Sequence, residues 1–212
     1  MGSEMCIRDR DNEFVTDVRA VAGRTPSRDV EQALVDAAER VLVRDGLSGV
    51  TVRAVATEAG VAPMGVYNRF GNKDGLVAAV LVRGFDGLRA AVVQDTDPDA
   101  EARLIASGRN YRRFALAHPQ HYVAMFGAGF AAAGPSAELA EHAAAAFTAL
   151  VDHVRAAIGA GVLREADPVE TAQLIWSAVH GAVSLELANG LLTPDPGSTY
   201  EALLHLILAG LR

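Results

Sequence analysis

The stretch TVRAVATEAGVAPMGVYNRF, residues 51–70, decides the fold of the N-terminal part of this chain. Apolar residues recur at three- and four-residue steps on both sides of Gly60, and this spacing predicts two short helices. Thr51 is a good N-cap for the first helix, and Gly60 ends it because glycine adopts the left-handed conformation at little steric cost. Pro63 suits the first turn of the second helix, where its missing N–H costs nothing. The stretch therefore predicts a helix-turn-helix.

Helices on both sides complete this unit. An apolar face along residues 28–45 predicts a longer helix that is capped by Ser27 and ended by Gly46. A fourth helix is expected to begin at about Lys73, the only lysine of the chain, and to run toward Leu88. The first three helices would bury a small common core. Its predicted members are Val30, Leu34, Leu42, Val55, Ala56, Val66 and Phe70.

The rest of the chain keeps the helical period and has no strand-like alternation. We therefore expect an all-α protein with about nine helices. The Gly/Ala-rich residues 127–136 predict a mobile connection. The expected organisation is a disordered leader that need not be native (1–26), a helix-turn-helix domain (27–72), a connecting helix (73–90) and a helical C-terminal domain (91–212).

Composition and charge limit the class of protein. Half of the 212 residues are hydrophobic, which is enough for a substantial core. The sequence has no membrane-length apolar run and no secretory signal pattern, and its single cysteine excludes an internal disulfide or a cysteine metal site. We expect a cytoplasmic protein with no membrane contact, no metal and no cofactor. The net charge of −7 argues against a general polyanion binder, although residues 24–90 carry nine Arg or Lys against eight Asp or Glu.

The second helix of the pair is expected to lie on the surface and enter the major groove of DNA. Asn68 could pair with an adenine edge, and Arg69 with guanine or a phosphate. The hydroxyl of Tyr67 could reach a phosphate, and Lys73 could clamp one together with the N–H groups that begin the fourth helix. Phe70 would anchor the helix in the core. The alternative is that Tyr67 and Phe70, three residues apart, are plain core contacts.

Residues 33–80 resemble the DNA-binding domain of the TetR family of transcriptional regulators. The family pattern is a glycine-ended helix, then T-V-R-x-[IV]-A-x-x-A-G-V, then Y-x-x-F-x-x-K-x-x-L, and every position of it is present. The resemblance implies that Thr51, Arg53, Tyr67 and Lys73 touch DNA. One departure is local: Pro63-Met64-Gly65 stands where small polar residues are common, which leaves the operator sequence open. The full set expected at DNA is Arg28, Thr51, Val52, Arg53, Pro63, Met64, Gly65, Tyr67, Asn68, Arg69 and Lys73.

Residues 110–127 and 175–190 resemble a C-terminal subtype of that family named for a Trp-His-Gly signature, matched by Trp176, His180 and Gly181. The resemblance implies a small-molecule pocket and a homodimer interface in this half. Large side chains among alanines also suit an apolar pocket, but aromatic residues at helical spacing are equally typical of a plain core. The expected ligand-binding residues are Tyr111, Phe114, His118, Tyr122, Met125, Phe126, Phe147, Trp176 and His180.

The last two helices carry more apolar surface than a terminal helix pair needs. A four-helix dimer interface would explain this surface, and burial within one chain is the alternative. The expected interface residues are Val179, Val183, Leu187, Leu204 and Leu208. His118 and His121 lie three residues apart, but they have no adjacent cysteine or carboxylate, so ordinary hydrogen-bonded histidines are expected rather than a metal site.

The resemblance implies a ligand-responsive, homodimeric transcriptional regulator. The function expected is a repressor that leaves a near-palindromic double-stranded DNA operator when a small apolar effector binds. A transcriptional activator and a ligand-independent DNA-binding protein of the same fold are alternatives. An all-α enzyme with an aromatic pocket is a further alternative, although the sequence has no G-x-S-x-G, H-E-x-x-H or P-loop pattern.

Overall fold

The computed structural model describes residues 27–212, with side chains from residue 29 onward. That part of the chain contains ten helices and no strand, so the all-α prediction is confirmed. The leader predicted over residues 1–26 lies outside the described residues. The helices are α1 (Ser27–Gly49), α2 (Val52–Ala59), α3 (Pro63–Phe70), α4 (Lys73–Val92), α5 (Ala100–Ala117), α6 (Pro119–Phe126), α7 (Ala128–Ala132), α8 (Ala137–Gly159), α9 (Pro168–Leu187) and α10 (Pro196–Leu211).

Local signals set the ends of the first helices. Gly46, with φ 70°, interrupts α1 where the sequence predicted its end, and one further turn follows. The Thr51 hydroxyl oxygen accepts a hydrogen bond from the backbone N–H of Ala54 at 3.2 Å and so caps α2. Gly60 closes α2 in the left-handed region, with φ 68°. The chain therefore turns sharply between α2 and α3, as a helix-turn-helix requires.

Helices α1, α2 and α3 enclose the predicted small core, and together they form what we call the head. Buried members are Leu34, Leu42, Val55, Ala56 and Val66, while Val30 and Phe70 are partly buried and pack against them. Ion pairs add a surface connection, because Glu58 of α2 accepts hydrogen bonds from Arg40 and Arg44 of α1, each at 2.8 Å. These contacts hold α2 in one orientation on α1 and leave α3 on the outside.

The remaining helices form the C-terminal domain around α4. Helix α4 packs against α5 and α8, and α8 in turn packs against α9. The segment 127–136 differs from its prediction, since it contains the five-residue helix α7 rather than only a loop. This is the tenth helix, which the Gly/Ala-rich sequence did not reveal. Among the described helices, none has the length and apolarity needed to cross a membrane.

Candidate DNA interface and ligand cavity

Helix α3 presents the predicted reading surface to solvent. Met64 is 64% exposed and Tyr67 is 47% exposed, whereas Val66 between them is buried. Pro63, Asn68 and Arg69 are also exposed. No side chain caps the start of α3, so its first turn is left open to an acceptor outside the protein. The helix thus packs one face into the core of the head and exposes the opposite face, which has access to a DNA groove.

Three further residues predicted at DNA lie beside α3. Arg53 is exposed on α2, and Lys73 is exposed at the first position of α4. Thr51 uses its oxygen to cap α2, which leaves its O–H hydrogen available to a phosphate. The side chain of Asn72 accepts a hydrogen bond from the backbone N–H of Gly75 at 2.9 Å. One of the helix-start N–H groups predicted to share a phosphate with Lys73 is therefore already engaged.

Three residues predicted at DNA need comment. The Val52 side chain is buried in the head, which corrects its prediction because the side chain cannot reach a groove. The Arg28 side chain lies outside the described residues. The Arg69 guanidinium lies 3.9 Å from the carboxylate of Glu31, so base recognition by Arg69 would compete with this ion pair.

The C-terminal domain contains an apolar cavity of about 430 Å³ lined by residues of helices α4 to α10, within the size range of small-molecule sites. The described lining contains no charged side chain, and its polar side chains are Ser107, Tyr111, Gln173 and Trp176. The apolar lining comes mainly from Phe85, Leu88, Val92, Leu104, Ile105, Met125, Phe126, Phe130, Phe147, Leu150, Ile175, Val179, Leu204, Ile207 and Leu208. The walls thus suit an uncharged, largely apolar molecule.

The cavity has one polar corner, centred on the hydroxyl of Tyr111. Its oxygen accepts a hydrogen bond from Trp176 Nε1 at 3.2 Å and lies 3.0 Å from the Tyr122 hydroxyl and 2.9 Å from His180 Nδ1. The Tyr122 hydroxyl is itself 2.7 Å from the same nitrogen. Burial raises the pKa of both tyrosines and lowers the pKa of His180, so all three groups are uncharged near neutral pH.

The structure separates the predicted ligand residues into two sets. Five of them line the cavity: Tyr111, Met125, Phe126, Phe147 and Trp176. Four are not part of the described lining, and their contact with a ligand stays a prediction: Phe114, His118, Tyr122 and His180.

Packing explains why Tyr122, His180 and Phe114 lie off the lining. Tyr122 and His180 stand behind the wall and bond to Tyr111 from outside the cavity. The ring centroids of Phe114 and His118 lie 5.1 Å apart, and the Phe114 ring lies beside Gly87. Sequence reasoning missed the aliphatic lining, because aliphatic residues at helical spacing give the same signal in a cavity wall and in a filled core.

Helix α6 connects the cavity wall to the head. Met125 and Phe126 line the cavity, and His121 points to α1, with its Nε2 atom 3.5 Å from a carboxylate oxygen of Glu39. Arg83 of α4 donates to Glu39 at 2.7 Å and also pairs with Asp36. Burial alone would raise the pKa of Glu39, but hydrogen bonds from His121 and Arg83 outweigh it and hold the pKa below its ordinary value. The buried Nδ1 atom of His121 has no hydrogen-bond partner among residues 29–212.

The apolar residues expected at a dimer interface are used within the chain. Val179, Val183, Leu204 and Leu208 are buried against neighbouring helices, and Leu187 is partly buried. Burial within the chain therefore accounts for Val179, Val183, Leu204 and Leu208, whereas Leu187 keeps part of its surface exposed. The opposite faces of α9 and α10 carry exposed leucines instead: Leu174 is 58% exposed, Leu185 52% and Leu206 69%.

Both parts of the chain match known families. A model described as bacterial regulatory proteins, tetR family, matches residues 34–80, which contain most of the head. A second, described as tetracyclin repressor-like, C-terminal domain, matches residues 104–207, which contain most of the cavity wall. The chain belongs to the TetR family of transcriptional regulators. Binding of DNA operators as dimers and ligand-responsive repression are typical of this family.

Individual similar proteins extend over most of the chain. The HTH-type transcriptional regulator Rv1816 of Mycobacterium tuberculosis is 26% identical over 222 residues, which cover 88% of this chain and 94% of the relative. A structure of a protein with unknown function from Rhodococcus sp. RHA1 has a TM-score of 0.79 at 27% identity, covering 91% and 99% of the two chains.

A further likeness concerns the fold alone. The TetR family regulator PfmR of Thermus thermophilus has a TM-score of 0.61 at 19% identity, covering 84% of this chain and 98% of that one. At the level of the family, then, the chain is a DNA-binding regulator rather than an enzyme.

Proposed function

We propose that this TetR-family regulator is a homodimeric repressor that a small, uncharged, apolar molecule releases from a near-palindromic operator. The observation that carries the proposal is the path of α4. This helix begins at Lys73 beside the exposed reading helix, and farther along it Phe85, Leu88 and Val92 form part of the cavity wall. A single rigid element therefore borders both candidate sites, so a ligand that shifts α4 would shift the head.

We assign the proposed DNA contacts by the chemistry of the exposed side chains. Asn68 would read an adenine edge, and Met64 would pack against thymine methyl groups. Tyr67, Arg53, Thr51 and Lys73 would contact phosphates, which fix orientation without reading sequence. The nearly balanced charge of the head supports sequence-specific binding, because weak general attraction to phosphates limits binding at other sites.

We place the proposed dimer interface on the exposed faces of α9 and α10. Leu174, Ala178, Gly181 and Leu185 share one face of α9 at helical spacing, and a Cβ at Gly181 would meet no atom within 4 Å. Leu206 projects from α10. In a symmetric dimer these residues would meet their own copies, and the open space at Gly181 would let the helices approach closely.

We propose that α6 carries part of the ligand signal. A molecule that fills the cavity contacts Met125 and Phe126 and so changes the position of α6 relative to the core. His121 on the same helix contacts Glu39, which also binds Arg83 of α4. The ligand-bound state would then favour a different head position, and the population of DNA-competent dimers would fall.

We also assign the C-terminal domain to the Trp-His-Gly subtype. The assignment is supported by the positions of Trp176 and His180, which both lie within hydrogen-bond distance of Tyr111. Tyr111, Trp176 and His180 would form one hydrogen-bonded cluster. The Trp and His of the signature would then belong to the polar corner of the cavity. We keep the proposed domain boundaries at residues 72 and 90, although α4 itself continues to Val92.

The experiment that tests this function uses a duplex selected from a random pool. Release of the duplex is measured with a panel of uncharged apolar compounds, for the wild type and for Ala146→Leu, which adds a larger side chain to the cavity wall. Ala140→Leu, at an exposed position of the same helix, is the matched control. We expect at least one compound to release the wild type and the control but not Ala146→Leu. Release of all three proteins alike would show that the compound acts elsewhere, and release of none would contradict the proposed effector response.

A further inference from the structure

The polar corner of the cavity holds a hydrogen-bond donor that can be redirected. Tyr111, Tyr122 and His180 approach one another at 2.7–3.0 Å. The lowered pKa of His180 keeps its ring neutral, so Nδ1 either accepts or donates one hydrogen bond. The Tyr122 hydroxyl can make this hydrogen bond in either tautomer: it donates to Nδ1 when Nδ1 carries no hydrogen, and it accepts when Nδ1 carries one. The hydrogen of the Tyr111 hydroxyl can therefore turn into the cavity without leaving a buried group unpaired.

Each of the other polar side chains of the described lining already makes a hydrogen bond within the chain. The Ser107 hydroxyl donates to the backbone carbonyl of Leu104 at 2.8 Å, and Gln173 donates to Ser177 at 3.2 Å. Trp176 donates to Tyr111, and a hydroxyl that accepts a hydrogen bond is a stronger donor through its own hydrogen. Tyr111 is thus the side chain of the described lining best prepared to donate to a ligand.

None of the described residues that line the cavity offers a counter-ion to a charged ligand. Arg112, which packs near Tyr200 beside the cavity, is bound by the carboxylate of Glu186 at 2.8 Å. A carboxylate moved from water into an apolar enclosure without a cation would lose its hydration without compensation. The volume of about 430 Å³ is in the range of small-molecule sites.

We propose that the cavity binds an uncharged, mainly hydrocarbon molecule with a single acceptor oxygen, such as a ketone, and that the Tyr111 hydroxyl donates to this oxygen. The inference rests on the proposed effector function of the cavity and names the chemistry of its ligand. The hydrocarbon part of the ligand lies against the aliphatic and aromatic walls. The oxygen lies at the polar corner, between Tyr111 and Trp176.

Three probes with the same phenylalkyl skeleton test the proposal: benzylacetone, a ketone; butylbenzene, a hydrocarbon; and phenylbutyrate, an anion. Binding is followed at neutral pH by the fluorescence of Trp176, the only tryptophan of the chain. Tyr111→Phe removes the proposed donor. Tyr200→Phe is the matched control, because its buried hydroxyl donates to the backbone carbonyl of Gly108 instead.

We expect Tyr111→Phe to weaken the binding of benzylacetone by about tenfold, the effect of one buried hydrogen bond. The affinity for butylbenzene should be unchanged. Tyr200→Phe should leave the preference between the two probes as in the wild type, and phenylbutyrate should bind more weakly than benzylacetone. The proposal is wrong if Tyr111→Phe weakens the binding of the ketone and the hydrocarbon equally, or weakens the binding of neither. It is also wrong if phenylbutyrate binds the wild type most tightly, or if none of the three probes binds the wild type.

The proposed function is tested separately from this chemistry. The DNA affinity of the wild type is measured without any probe and then with benzylacetone. If the probes bind in the expected order but the protein has no sequence-specific DNA affinity, the ligand chemistry stands and the regulator function fails. If DNA binding is specific but the order of the probes differs, the regulator function stands and the role of Tyr111 fails.

Discussion

Truncation of Leu206 should weaken the dimer without unfolding the protomer. The change to alanine removes three carbons, worth about 0.8 kcal/mol each when fully buried. Because 69% of Leu206 is exposed in the single chain, burial against a partner recovers at most about 1.7 kcal/mol per copy. A symmetric interface uses the residue twice, so the loss reaches about 3 kcal/mol, and the dimer Kd should rise by about two orders of magnitude.

Sedimentation of Leu206→Ala over a dilution series measures this Kd. Leu192→Ala is the matched control, because Leu192 is 101% exposed in the loop between α9 and α10 and lies on neither helix face. Far-ultraviolet circular dichroism should be unchanged in both variants. An unchanged Kd for Leu206→Ala, or an equal rise for Leu192→Ala, would refute the placement of the interface on the outer face of α10.

Three further predictions concern the head and its connection to the core. Lys73→Ala should weaken binding of all DNA sequences alike and lower the salt slope by about one unit per protomer; an unchanged slope in fluorescence anisotropy titrations would contradict a phosphate contact. Thr51→Ala should lower the free energy of unfolding, measured by chemical denaturation, by about 1 kcal/mol through loss of the α2 cap. Thr51→Ser keeps a hydroxyl and should retain most of the stability that the cap contributes. Glu39→Gln should lower the free energy of unfolding by about 1 kcal/mol at pH 7. Because the folded pKa of Glu39 lies below its ordinary value of 4.5, the wild type should keep this advantage above about pH 5 and lose it as the pH falls through the lowered pKa; an equal difference across the acid range would contradict the role of its charge.

The head could be predicted from sequence because its signals are local. Thr51 and Gly60 fix the ends of α2 through their own side chain and backbone, and the spacing around Val66 identifies the face turned to the core. In the sequence, Val52 stands between Thr51 and Arg53, two residues that the family resemblance places at DNA. Its burial follows from helical phase, which places it with Val55 and Ala56 in the core of the head.

The C-terminal domain could be predicted only in part. Spacing identifies which residues share a helix face, but it does not say what lies opposite that face. Both faces of α9 are apolar, so spacing does not show which face is exposed. In the structure Val179 and Val183 are buried, and Leu174 and Leu185 are exposed. Tyr122 and Tyr111 likewise carry the same chemistry, and only the packing of α6 against α5 and α9 decides that Tyr111 lines the cavity and Tyr122 supports it from behind.

The central claim, that this chain is a dimeric regulator that reads a specific operator, is tested most directly by selecting bound duplexes from a random pool at about physiological salt. Two copies of α3 in a symmetric dimer should enrich an inverted repeat whose half-sites are about 34 Å apart along the helix axis, or a multiple of it. Exchange of Asn68 for alanine should relax the preference at one position of each half-site. A folded, dimeric protein that enriches no sequence, or that enriches a single unpaired half-site, would contradict the account.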